Sequence, residues 1–171
     1  VTTGDTPEAL RDLSVSLERV GDVHLQRGRL DEALATYAEG LDLRRRIHAI
    51  TGDTPGALRD LSVSLSKVGD VHLQRGRLSE ALVAYAEGLD LRRRIHAITG
   101  DTPEALRDLS ISLERVGNVH RQQGRPSEAL AAYAEGLDLA CRVADAYGAT
   151  PQALADVRRL EEQVEVASGD R

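Results

Sequence analysis

The sequence repeats itself, and the repeat limits what the chain can fold into. Residues 3–50, 51–98 and 99–146 align without a gap at a period of 48. The first two units differ at six places: Glu8/Gly56, Glu18/Ser66, Arg19/Lys67, Asp31/Ser79, Ala35/Val83 and Thr36/Ala84. The third drifts further, mainly after Leu139, and residues 147–171 begin a fourth at Thr150-Pro151 that ends after one helix length. Self-similarity at a period of 20–50 residues marks a stacked array, in which each unit is one supersecondary element that buries its apolar face only against its neighbours.

Within a unit the apolar spacing is helical. Thr6-Pro7 supplies an N-cap followed by proline in the first helical turn. Leu10, Leu13, Leu17, Val20 and His24 then recur at steps of three and four, which predicts one apolar stripe. Gly28 ends that helix. A second, beginning near Asp31, carries Ala33, Leu34, Tyr37, Leu41 and Ile47 and closes at Thr51-Gly52-Asp53, where Gly52 suits a left-handed cap. The short turn forces the two helices antiparallel. No segment alternates with the period of a strand. The expectation is all-α, with seven helices near 7–27, 31–49, 55–75, 79–97, 103–123, 127–146 and 151–167.

Composition narrows the function. Hydrophobic residues make up 41% of the chain, too many for disorder, yet Phe, Trp and Met are absent and there are only four Tyr. The net charge of −6 gives no general attraction to nucleic acid or to anionic membrane surfaces. No apolar run approaches membrane length. The single cysteine, Cys141, excludes an internal disulfide and fits a reducing, cytoplasmic setting. The chain starts Val1-Thr2-Thr3 without an initiator Met and reads as a piece of a longer protein.

Small and aromatic residues inside each unit resemble the tetratricopeptide repeat. Leu17 stands at that family's Trp position and Val20-Gly21 at its Leu-Gly pair. His24 takes its Tyr, Gly28 its turn glycine, Ala33 its second-helix alanine, Tyr37 its second aromatic and Gly40 its last small residue. The set recurs as Leu65, Val68, Gly69, His72, Gly76, Ala81, Tyr85 and Gly88. It recurs again as Leu113, Val116, Gly117, His120, Gly124, Ala129, Tyr133 and Gly136. Physically, Gly21 and Gly40 let the paired helices approach and Tyr37 fills the space between them. The 48-residue period exceeds the family's usual one and is similar to the lengthened repeats of kinesin light chains and of bacterial signalling proteins. The resemblance implies an α-solenoid of antiparallel helix pairs, a right-handed superhelix forming a single array over residues 1–171. It also implies that first helices line a concave groove that binds a peptide or helix of another protein.

Opposite the apolar stripe, the first helix carries Arg11, Val15, Glu18, Asp22, Leu25 and Gln26 on one face. The second unit presents Arg59, Val63, Ser66, Asp70, Leu73 and Gln74, and the third Arg107, Ile111, Glu114, Asn118, Arg121 and Gln122. An apolar line, acidic groups and a glutamine ladder suit an extended or helical partner of mixed or basic character. Chaperone-tail clamps of this family hold a carboxylate with Lys and Asn. The matching positions here are Glu18 and Asp22, Ser66 and Asp70, and Glu114 and Asn118, which argues against that specialisation.

The remaining motifs read as structural. His24, His72 and His120 lie on the apolar stripe, as core or half-buried residues. His48 and His96 sit near helix ends, where a cation offsets the dipole. Arg44-Arg45-Arg46 and Arg92-Arg93-Arg94 are expected to do the same and to pair with nearby acids such as Asp42. Ser14, Ser16, Ser62 and Ser64 have no base-and-orienter arrangement, and Cys141 reads as a packing residue. No phosphate loop, dinucleotide fingerprint or zinc-helix spacing occurs, so no enzyme, cofactor or metal site is expected. Two further expectations are head-to-tail self-association through an open amino end, with Leu154, Val157, Leu160 and Val164 capping the other end while Glu161, Glu162 and Glu165 face water, and service as a sensor or spacer in a larger protein.

Overall fold

The computed structural model describes residues 6–169. Their elements are α1 (Pro7–Gln26), α2 (Leu30–Thr51), α3 (Pro55–Gln74), α4 (Leu78–Thr99), α5 (Pro103–Gln122), α6 (Pro126–Tyr147) and α7 (Pro151–Gly169), with no strand among the described residues. The fold is an all-α helical repeat. The second helices start about one residue earlier and end about two later than the spacing predicts. The Thr51 hydroxyl bonds back to the Ile47 carbonyl at 3.0 Å, and the helix stops only at Gly52, whose φ of +69° other residues rarely adopt.

Each start and stop follows from local chemistry. Thr6, Thr54, Thr102 and Thr150 accept the amides of Ala9, Ala57, Ala105 and Ala153, each at 3.2 Å, with proline next in sequence. At the end of α1, Arg29 N–H donates to the His24 carbonyl and Gly28 N–H to that of Leu25, both at 2.9 Å, with Gly28 at φ +69°. This is a Schellman cap.

The chain divides into two compact units, Val1–Leu91 and Arg92–Arg171, with the boundary inside α4. In the first, α1 packs on α2 and α2 on α3; in the second, α5 packs on α6 and α6 on α7. Tyr37 is 2% exposed, and its ring occupies the space that a side chain at Gly21 would need. Further along α2, Gly40 sits against Leu17 and Ser14, so the pair runs antiparallel. Gly69 with Tyr85 and Gly117 with Tyr133 repeat the arrangement, a Cβ on either glycine falling 2.6 Å from the ring. Tyr37, Ala33, Leu41 and Ile47 are all buried, as their spacing predicts.

Three expectations change. Leu13 and Val20 of the predicted α1 stripe are exposed, whereas Leu61 and Val68 at the same positions of α3 are buried. In the first unit α3 has α2 against it, and nothing among the described residues covers that side of α1. In α7, Leu154 is exposed as well. Ala153, Leu160 and Ala167 form its inner face, with Val157 and Val164 packed beside them, while Glu161, Glu162 and Glu165 are exposed. The arginine runs also act differently: Arg44 is buried and ion-pairs with Asp60 of α3, not with Asp42.

Candidate partner-binding faces

In the first unit the face singled out from sequence is brought together by α1 and α3. Arg11, Gln26, Arg59, Val63 and Gln74 are exposed, and Val15, Glu18, Asp22, Leu25, Ser66, Asp70 and Leu73 are partly so. The two helices are tied on this side. Lys67 Nζ of α3 donates to Asp22 of α1 at 2.6 Å, and Arg11 lies 3.7 Å from Asp60. In the second unit Arg107, Arg121 and Gln122 of α5 are exposed, with Ile111, Glu114 and Asn118 partly exposed. Here α7 stands alongside: Arg159 donates to Glu114 at 2.8 Å and Arg107 to Asp156 at 2.9 Å. An open pocket of about 400 Å³ at the start of α5 is lined by Glu104, Arg107, Val143, Tyr147 and Gln152.

Several acids on these faces already have work to do inside the fold. The Tyr37 hydroxyl donates to Asp22 at 2.5 Å, Tyr85 to Asp70 at 2.5 Å and Tyr133 to Asn118 at 2.8 Å. Burial raises the Asp22 carboxyl pKa, but hydrogen bonds from Lys67 and Tyr37 outweigh it and hold the group below its ordinary value. Asp156 behaves likewise: burial works against ionisation, and Arg107, Arg159 and Gln152 more than offset it. Burial and the neighbouring Asp22 push the Tyr37 phenol well up, so it remains a donor. The acidic stripe is therefore partly neutralised from within, and the apolar line and glutamines are its least committed groups.

The histidines divide as their positions suggest. His24, His72 and His120 are half-buried with Nδ1 enclosed and unbonded. Burial lowers the pKa of His72 and of His120. His48 and His96 reach the loops after their helices, with Nε2 2.7 Å from Asp53 and 2.6 Å from Asp101. Among the described residues no three His, Cys, Asp or Glu side chains gather as a metal set. Burial raises the Cys141 thiol, the reverse of an activated nucleophile. No described helix is long and apolar enough to cross a membrane.

Sequence reasoning missed the ion pairs that join successive repeats. Arg44 with Asp60 recurs as Arg92 with Asp108 at 2.8 Å, and Arg45 with Glu87 as Arg93 with Glu135, both at 3.0 Å. Arg75 meets Asp31 at 2.5 Å. The available signal was opposite charge recurring at a fixed offset in successive 48-residue units.

Capped helix pairs, a tyrosine wedged on glycine in each, and ion-paired joints between them define a helical-repeat protein. Family models described as tetratricopeptide repeat match residues 12–94 and 111–146, between them most of the chain. The chain belongs to the tetratricopeptide repeat family. Among solved structures it is similar to PcrH from Pseudomonas aeruginosa, at 16% identity over 92% of each chain with a TM-score of 0.52. It is similar also to a de novo designed helical repeat protein, at 15% identity over 96% of each chain with a TM-score of 0.51. No curated protein sequence matched.

Proposed function

We propose that the chain is a protein-interaction scaffold that holds extended or helical segments of a partner against first-helix faces, those of α1 and α3 in the first unit and that of α5 in the second. One observation carries this reading. None of the eighteen residues picked from sequence on α1, α3 and α5 is buried, while the opposite sides of α3 and α5 are. Val15, Val63 and Ile111 offer apolar contact, and Gln26, Gln74 and Gln122 pair with a peptide backbone, each amide both donating and accepting. Asp22, Asp70 and Asn118 lie on the same faces, but their bonds to tyrosine make them poor sites for a test, because replacing them perturbs the fold.

The experiment is selection of binders from a displayed library of 12-residue random peptides, followed by calorimetric titration of the winners. Saturable binding is expected, weakened about tenfold or more by the combined change Val15→Glu, Val63→Glu and Ile111→Glu. Selected peptides that bind this variant as tightly as the wild type would remove the assignment. So would a library that yields no saturable binder.

A further inference from the structure

The second helix pair holds a pocket that the candidate partner-binding faces do not use. It lies within the first unit and has a volume of about 380 Å³, at the lower end of the range of small-molecule sites. Leu65, Val68 and His72 of α3 and Val83 and Ala84 of α4 wall it. Leu65, Val68 and Ala84 are buried at its base, while Val83, 67% exposed, stands at its edge. None of its lining residues is among the eighteen on the first-helix faces.

The two nearly identical repeats diverge here. Eight of a repeat's 48 positions line the pocket, so an even share would be one of the six differences, yet three fall in it. All three act in the same direction. Ser79 removes the charge of Asp31, Ala84 removes the hydroxyl of Thr36, and Val83 adds two methyl groups to Ala35. An apolar cavity is thus assembled where the first repeat carries polar groups.

The charged groups that line it are both acids, Glu80 and Glu87. Glu87 is taken by Arg45 at 3.0 Å, which leaves Glu80 exposed and without an ion pair among the described residues. Arg75 and Arg77 act on His72, but neither lines the pocket, and Arg75 is held by Asp31 at 2.5 Å. Burial lowers His72, so its ring is an uncharged wall at neutral pH.

We propose that this pocket binds a small organic ammonium ion, its apolar body against Leu65, Val68 and Val83 and its ammonium group on Glu80. The cavity supplies the hydrophobic part of the affinity, and the charge-assisted hydrogen bond to Glu80 supplies the selectivity. The site shares no residue with the first-helix faces, so either can fail without the other.

Methyl NMR of the full chain tests this with two probes of matched skeleton and opposite charge, phenethylammonium and phenylacetate. The ammonium should shift the Leu65, Val68 and Val83 methyls saturably, with a dissociation constant on the order of 0.1–5 mM. The carboxylate should bind about tenfold or more weakly. Val83→Lys, at a position exposed enough to leave the fold intact, should abolish the shifts at Leu65 and Val68. Glu80→Gln should weaken ammonium binding about threefold or more, whereas the combined change Val15→Glu, Val63→Glu and Ile111→Glu should leave it unaltered. No saturable shift from the ammonium, equal binding of the two probes, indifference to Val83→Lys or Glu80→Gln, or shifts no larger in the pocket than at Val15 and Ile111 would overturn the proposal. So would shifts raised only by a short peptide of alternating leucine and lysine, which would give the pocket to a segment of a partner protein instead.

Discussion

Arg92 near the end of α4 sets its guanidinium 2.8 Å from Asp108 of α5, repeating in the second unit the pair that Arg44 makes with Asp60 in the first. Both arginines are largely buried, with side-chain exposures of 12% and 7%. A cation withdrawn from water this far is costly to leave alone, so its carboxylate holds the arginine's own segment against the helix that follows.

Removing that carboxylate should therefore be expensive. Asp60→Ala leaves Arg44 buried with only Glu18, at 4.0 Å, nearby. A loss of about 1–3 kcal/mol is expected, discounted because Asp60 is itself partly exposed. Glu87→Ala breaks the exposed pair with Arg45 and should cost under about 1 kcal/mol. Urea denaturation of the two variants checks the difference, and equal losses would contradict it.

Two glycines of the second repeat should respond oppositely to alanine. A Cβ at Gly69 would fall 2.6 Å from the Tyr85 ring, and Gly69→Ala should cost about 1–3 kcal/mol. At Gly88 the nearest atom is the Ser62 carbonyl oxygen at 3.6 Å, an ordinary contact. Gly88→Ala should be neutral or stabilising by up to about 1 kcal/mol, the gain in helix propensity. Thermal melts of both variants decide it.

The tyrosine bonds should differ between repeats. Tyr85 donates to a carboxylate at 2.5 Å, and Tyr133 to the amide oxygen of Asn118 at 2.8 Å. Bonds to charged groups contribute more. Tyr85→Phe should thus cost about 1–3 kcal/mol and Tyr133→Phe about 0.5–1.5 kcal/mol, measured by denaturant titration.

Acidification should act in two stages. Burial lowers His72 and His120, so the unfolded chain takes up protons before the folded one does. Their contribution is complete above the ordinary histidine value near 6.5 and shrinks as pH falls below it. Asp22 and Asp156 are also lowered. They add stability above the ordinary aspartate value near 3.9, and it is lost as pH falls through their folded values. Stability measured from pH 8 to pH 2 should decline below about pH 6.5 and again below about pH 4. Replacing both His72 and His120 by Gln should flatten the first decline alone.

Much of the fold was legible because its determinants are local or periodic. Thr-Pro caps, glycine stops and the 48-residue register place all seven helices within about two residues. The Tyr37–Gly21 wedge was legible for the same reason, since both positions recur together. Leu13, Val20 and Leu154 read differently in space because burial there depends on a neighbouring helix, and periodicity shows a stripe without showing what covers it. Arg44 was misread as a dipole counter-charge because Asp60 lies 16 residues away, beyond any single-helix spacing. The face residues were legible by helical phase, whereas their internal partners, Tyr37 for Asp22 and Arg159 for Glu114, lie on other helices.

The central claim is that partners bind along the first-helix faces. Methyl NMR of the full chain, titrated with a peptide selected from the random library, tests it most directly. The account predicts shifts concentrated at Val15, Leu25, Val63, Leu73 and Ile111, with Val83 and Ile98 on the second helix α4 unmoved. Shifts centred on the second helices, with the first-helix methyls silent, would contradict it.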